Sequence, residues 1–551
     1  MNPDIIFVQD YSYSVTATHT SFGILGDGRL TFGPGKGAIL QFGLSNLKLT
    51  ERQTLDEVHA VAEDGQHFTL LDCQFEQLFL SCEYVISTET ADAFVLAEVE
   101  VLDISPWFFG FQSIQGKPGA KVEWINAPAE ISASLTLVDG NLIVKAYPST
   151  SIGQTDDGYL IKDSVIFSIE CAAALSISTM RRYATDLLAL LSILLGTPVS
   201  ISSVRVKSDN DRSGYAFFPY YDSTSVSGTG VRKKESHDYF IKKRIFEANW
   251  QEILRNFFSS ELRDPIWLRL SGMKRYNDFW EYKVLGYVTL WEAYVSSQTQ
   301  NLGKKAIAMP TKAVKRFYEK LDMNKLSLTS EQVRGVKDLV GSVFQTREYT
   351  LQEKTEIVIS QADPDIVKII NLSLGDFIRL RKIRDEIAHG DVVTISSDEY
   401  PFLVILIKKL TLLLTYFSFI DFGLKKSDFL ACLHSPWSRM VRGASVDEAH
   451  LDKVMGVAEF IALTTENLLA LKPLATGQAF RCFYINDQGE VTYSQEDTRT
   501  YFAKLQSNAL GNNPDYNDIF NNHERKIRYV PSLYFEDDKQ NLHFTAVLLF
   551  E

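Results

Sequence analysis

Two hydrophobic rhythms divide this chain, and no single kind of element can carry both. Over the first 150 residues the apolar side chains come in short runs: AILQFG, HFTLLDC, FVLAEVEVLDI and SLTLV. These are rich in β-branched and aromatic residues and read as strands of an antiparallel β module. The pairs Asp27-Gly28, Asp64-Gly65 and Asp139-Gly140 supply the positive φ that tight turns demand. Further along, Trp280, Val284, Val288, Trp291 and Val295 recur at spacings of 4, 4, 3 and 4, which line one face of an α-helix over 278–297.

The glycines of GILGDGRLTFGPGKG, 23–37, invite comparison with a phosphate-binding loop. Lys36 is followed by Gly37 where such a loop needs Ser or Thr, and both flanks read as strands, so the segment is a glycine-rich hairpin. A long helical pattern over 168–195 stops at Gly196 and Pro198. The polar, Ser- and Gly-rich stretch 207–230 reads as a loop or linker. Helices are then expected at 312–321, after Pro310, and at 331–344, 374–389 and 401–419, with Gly390 as a helix stop. The tail reads as helix over 446–471, strands in AFRCFYI and GEVTY, a short helix over 498–505 and a closing strand, LHFTAVLLF.

The expected fold class is multidomain α+β. A β-rich N-terminal domain with a covering helix spans 1–205, and a linker with a connecting helix spans 206–255. An all-α helical bundle spans 256–435, and a small α+β C-terminal appendage spans 436–551.

Composition narrows the function classes. The 551 residues are 45% hydrophobic and 23% charged, as in ordinary globular proteins with several cores. A formal charge of −13 excludes coating of nucleic acid by bulk positive charge, so any such contact needs a local site. The five cysteines form no Cys-x-x-Cys pair, and the nine histidines no His-x3-His or His-Glu-x-x-His pair. We therefore expect free thiols, no structural metal and no cofactor. The N-terminus MNPDIIFVQD has no basic leader or apolar core of a signal. The run 187–195 is too short to span a bilayer, and 402–422 is interrupted by Lys408 and Lys409. Both read as buried core helices, so no membrane partner and a cytoplasmic location are expected.

One segment sets pattern against residue type. In LGDFIRLRKIRDEIAHG, 374–390, Phe377, Leu380, Ile383 and Ile387 define an apolar face, and Arg384 falls on it. A guanidinium there must pair with a carboxylate, open into a cleft or face another subunit, because burying it alone costs several kcal/mol. Asp376, Asp385 and Glu386 are local partners, and Glu292, at the edge of the 280–295 stripe, is a distant one. His389 follows five residues later, about 140° around an ideal helix, at the end where Gly390 can unwind the last turn. Asp385, four residues before it, can orient it. An imidazole that moves the proton of a ribose 2′-hydroxyl and an arginine that stabilises a pentavalent phosphate suffice to cleave RNA without a metal. DNA lacks that hydroxyl. The structural alternative is a helix-end histidine beside an arginine held in an ion-pair network.

From Arg269 to Lys320 ten basic residues face four acidic ones. Lys304, Lys305, Lys312, Lys315 and Arg316 are the candidate contacts to an RNA backbone, and a solvated helix face is the alternative.

RDEIAHG, ending a helix within a helical bundle, resembles the Arg-x4-6-His signature of HEPN-domain ribonucleases. Together with the β-rich region containing GDGRLTFG and FTLLDC, the arrangement over 10–435 resembles the Apea-like HEPN proteins of antiphage defence. The resemblance implies that 256–435 is a HEPN bundle with Arg384 and His389 as its catalytic pair. It also implies a homodimer or higher oligomer with two motifs across the interface. The polar residue that follows the arginine in many such motifs is here Asp385, which adds a negative charge near the phosphate. The implied activity is a latent, metal-independent endoribonuclease that cuts host RNA, tRNA being the suggested substrate, in abortive infection. The β-rich region would then sense a phage-derived trigger. The alternative is a non-catalytic helical module that binds RNA or protein, with a structural Arg/His motif.

Overall fold

The alternating runs at the N-terminus are satisfied by closure. In the computed structural model six strands, β1 (Tyr11–His19), β2 (Gly23–Gly33), β3 (Lys36–Phe42), β4 (Gln53–Ala62), β5 (His67–Glu76) and β6 (Phe79–Ile86), pair antiparallel. Their order is β6-β3-β2-β1-β4-β5, and β5 returns to β6, making a barrel. The structure describes residues 4–43, 52–88, 93–101, 104–110, 114–115, 123–124, 128–138, 140–155, 158–220, 235–276, 279–306, 312, 329–344, 346–435, 437–475, 479–486, 488–507, 514–521 and 524–551. In β3, Ala38, Leu40 and Phe42 are buried while Gly37, Ile39 and Gln41 are exposed, the period-2 pattern of a wall with one dry face. The glycine-rich segment forms the β2–β3 hairpin, as its residues suggested.

A second antiparallel sheet continues from the barrel. β6 pairs through Val85 and Ile86 with β12 (Ser213–Phe217), and the order runs on through β11 (Ile201–Ser208), β7 (Phe94–Val101), β10 (Gly158–Leu175) and β9 (Gly140–Thr155) to β8 (Ile131–Leu137). The helix α1 (Ile177–Leu195) is capped by Ser176, whose side chain accepts from the Thr179 N–H, and ends at Gly196 with φ +69°. The outer edge, β8, is covered by α2 (Lys243–Ser259). Gln251 of α2 accepts the Ser134 N–H at 2.9 Å and donates to the Ser134 carbonyl at 2.7 Å, so one side chain does for that residue what a further strand would do.

Three expectations for this part are corrected. Residues 168–175 are strand, not helix: Val165–Glu170 pair with β7, and cross-strand pairing outweighs the helical leaning of an alanine-rich run. The expected linker begins too early, because Lys207 closes a hairpin with Ser213, while 221–234 lie outside the described residues. Asp27-Gly28 is not a turn but the middle of β2. A Cβ on Gly28 would come within 2.6 Å of the Gln41 carbonyl oxygen, so glycine there serves close strand approach. Asp64-Gly65 is the turn expected, with Gly65 at φ +83°; Asp139 lies outside the described residues.

The helices that follow share a dry core. α4 (Trp280–Gln298) packs against α5 (Leu351–Gln361), α6 (Leu374–Ala388) and α7 (Tyr400–Asp421). Trp291 is its centre: the ring meets Phe377 and Phe417 and the indole N–H donates to the Thr355 hydroxyl at 3.2 Å. α3 (Leu268–Arg275) precedes α4, and a helix spans Ser330–Phe344. The helix expected over 312–321 lies outside the described residues except for Lys312. α7 is long and apolar enough to cross a membrane, with a mean hydropathy of 1.9 in its best window, but 72% of that window is buried within the structure. Both apolar runs are thus buried helices, as read from their length and interrupting lysines. The architecture is mixed α+β, β-barrel-rich at its N-terminal end and helical after it.

The chain divides into two units, 1–361 with 373–444, and 362–372 with 445–551. The second is a five-stranded mixed sheet in the order β13 (Glu459–Ala462), β16 (Ile527–Glu536), β17 (Asn541–Phe550), β14 (Cys482–Ile485), β15 (Val491–Tyr493). The helix Thr465–Leu471 covers one face through Leu468 and Leu471, and Gln495–Gln506 covers the other through Tyr501. The helix expected over 446–471 is interrupted by β13, which pairs in parallel with β16. A four-residue strand is too short for its period to show in sequence.

Candidate functional site

α6 begins and ends by rules its residues state. The Ser373 hydroxyl accepts from the Asp376 N–H while the Asp376 carboxylate accepts from the Ser373 N–H, a reciprocal cap. Phe377, Leu380 and Ile383 bury one face against α4 and α7. At the other end the Gly390 N–H donates to the Ile387 carbonyl and the Asp391 N–H to that of Glu386, with Gly390 at φ +81°. This is the 5→2 and 6→1 pair of a Schellman close. His389 is the last residue before the turn, with helical dihedrals (φ −84°, ψ −3°), so its position is pinned by backbone bonds rather than by packing.

Arg384 points inward as the pattern requires, and it is matched there. Its guanidinium ion-pairs with Glu292 of α4 and lies 3.1 Å from the Asp385 carboxylate. The Arg384 and Glu292 side chains retain 19% and 23% of their exposure, so the pair sits at the boundary of the core. The Arg384 Nε is buried without a hydrogen-bond partner among the described residues. Asp385 also meets Arg381 at 3.8 Å, one turn earlier. Sequence reading passed over Arg381, although its i, i+4 spacing to Asp385 was the available signal. Glu386 is engaged by Lys382 at 3.9 Å, and Asp376 is spent on the cap.

His389 is exposed, and its ring has no hydrogen-bond partner among the described residues. The Asp385 carboxylate turns to the two arginines rather than to this ring, so the orienting contact expected for Asp385 is absent. Within one chain, then, the structure brings Arg384, Asp385 and Glu292 together and leaves His389 apart from them.

The described residues of the basic stretch have different surroundings. Lys304 and Lys312 are exposed. Lys305 is half-buried and bonded to Glu353, which also takes Arg347 at 2.6 Å; these cations hold the Glu353 carboxyl far below the usual range. A phosphate at Lys305 would therefore have to compete with Glu353 for its ammonium group. Lys315 and Arg316 lie outside the described residues. Lys274 is buried beside the Met440 sulfur at 3.5 Å, and desolvation lowers its amine to about 7. Arg275 stacks over the Tyr220 ring at 4.8 Å.

Among the described residues no three His, Cys, Asp or Glu side chains converge in a way that could hold a metal. The site consists of one arginine shared by two carboxylates and one exposed imidazole at a helix end.

The chain is thus a β-barrel protein with an attached helical part that carries this arginine–histidine pair. Residues 26–257 match the family model ApeA N-terminal domain 1, which covers β3 to β12, most of β2 and most of α2. No curated protein and no solved structure matches the chain.

Proposed function

We propose that this chain is an ApeA-like antiphage protein whose helical segment, 256–435, is a metal-independent HEPN-type endoribonuclease. The match of residues 26–257 supports the antiphage setting, and it is the observation that carries the reading: an ApeA-type N-terminal part precedes a bundle helix that ends in Arg384 and His389. In this reading the His389 imidazole accepts the proton of a ribose 2′-hydroxyl. That oxygen attacks the adjacent phosphorus, and the 5′-oxygen leaves, taking a proton and yielding a 2′,3′-cyclic phosphate and a 5′-hydroxyl. Arg384 balances the charge on the pentavalent phosphate. Its present partners, Glu292 and Asp385, compete with any phosphate, which suits a protein held inactive until triggered.

The partner assignments follow from the same reading: host RNA with tRNA as the substrate, a second copy of the chain to complete each site, and a phage-derived trigger acting on 1–205. Residues 436–551 are an extension. The test is expression of wild type and His389→Ala in infected and uninfected cells, with RNA integrity followed in EDTA-treated extracts. Wild type should protect and cut RNA and the variant should do neither; equal protection and equal RNA integrity would remove the catalytic claim.

One observation favours the second reading, a non-catalytic RNA- or protein-binding module: Arg384 is already balanced within its own bundle. In that case His389→Ala keeps function while Arg384→Ala lowers thermal stability.

A further inference from the structure

The second unit carries a cleft of about 730 Å³ between the β14–β15 side of its sheet and the helix Gln495–Gln506. This is within the range of small-ligand sites. Gln495, Arg499, Phe502 and Gln506 face it from the helix at spacings of 4, 3 and 4, a single stripe. Phe480 and Arg481, just before β14, and Tyr493 of β15 line its other side.

Its chemistry is unlike the rest of an acidic chain. Two guanidiniums and three aromatic rings line it, with no carboxylate among the lining residues. The Arg481 guanidinium lies over the Tyr493 ring at 5.9 Å. Arg499 is exposed and makes no ion pair among the described residues. Of the two carboxylates in the first turn of the helix, Asp497 is turned away to the Tyr484 and Ser494 hydroxyls, and Glu496, which flanks the stripe one turn before Arg499, makes no ion pair among the described residues. Phe502 is 47% exposed, a large aromatic face left in water, and its ring centroid lies 6.4 Å from that of Phe480. Phe480 adopts φ +61°, a conformation costly for a bulky residue, held by its N–H donating to the Thr545 carbonyl at 3.0 Å.

We propose that this cleft binds a nucleoside phosphate, its base stacked on Phe502 and its phosphate held by Arg499 and Arg481. Aromatic faces accept any base, and a guanidinium fork matches phosphate geometry. The Gln495 and Gln506 amides offer both donors and acceptors to a base edge. A free nucleotide and one residue of an RNA strand share this chemistry. The inference is independent of Arg384 and His389.

The test is calorimetric titration of the full-length chain, as His389→Ala so that no RNA is cut, with AMP, adenosine, inorganic phosphate and a hexa-adenylate RNA. AMP should bind at least tenfold tighter than adenosine or phosphate. Arg499→Ala and Phe502→Ala should each weaken AMP at least tenfold, while Lys504→Ala, on another face of the helix, leaves it unchanged. A hexanucleotide that binds more tightly than AMP with the same Arg499 dependence identifies a strand as the source; equal affinity identifies a free nucleotide. No binding of AMP or hexanucleotide, AMP no tighter than phosphate, or binding indifferent to both substitutions would overturn the proposal.

Discussion

Glu292 of one bundle helix ion-pairs with Arg384 of another, so the one cation on the apolar face of α6 is compensated from across the core rather than by its own helix alone. The pair is partly buried, which makes its loss asymmetric: removing the carboxylate leaves a guanidinium without its main partner. Glu292→Gln should cost about 1–3 kcal/mol. Adding Arg384→Gln should recover part of it, with a coupling of about 1 kcal/mol or more in a double-mutant cycle. Urea denaturation of the four proteins measures this, and strictly additive effects would show that the contact is energetically idle.

Gly390 closes α6 in a left-handed conformation, and a Cβ there would meet nothing within 4 Å. The cost of Gly390→Ala is therefore conformational alone, about 1 kcal/mol. His389→Ala, at an exposed ring, should stay within roughly 0.5 kcal/mol. Thermal melts of the two variants separate helix closure from side-chain chemistry; a larger loss in the histidine variant would point to packing that the structure does not contain.

Lys274 should make stability rise with pH. Desolvation holds its folded amine at about 7, below the ordinary 10.5, so between those values the unfolded chain binds more protons than the folded one. The penalty is full below about 7 and fades as pH rises towards 10.5, up to roughly 5 kcal/mol over the whole window. Lys274→Met, of similar length and beside Met440, should be more stable than wild type at neutral pH, and the difference should shrink at pH 10. A pH-independent difference would mean that the amine is not the cause.

The elements were legible where their residues act locally. The period-2 runs became strands of the barrel and of the sheet that continues it, the stop at Gly390 became a positive-φ close, and the inward position of Arg384 followed from angles around one helix. Where strands pair over long distance the sequence misled: 168–175 looks helical until β7 lies beside it, and β13 is too short to announce itself. The candidate site divides the same way. That Arg384 needs a carboxylate was readable from burial cost; that Glu292 supplies it, that Asp385 serves two arginines instead of His389, and that Lys305 is bound to Glu353 required three-dimensional placement.

The amino-acid order was enough to separate strand from helix, to place an arginine on a dry face and to put a histidine at a helix end, because spacing, capping and turn chemistry operate within a few residues. Barrel closure through β5 and β6, the Gln251 bridge on the β8 edge and the balance of charge around Arg384 were decided only by the fold. Each depends on which surfaces meet across a core, and that depends on how well whole faces fill space together rather than on any local window of residues.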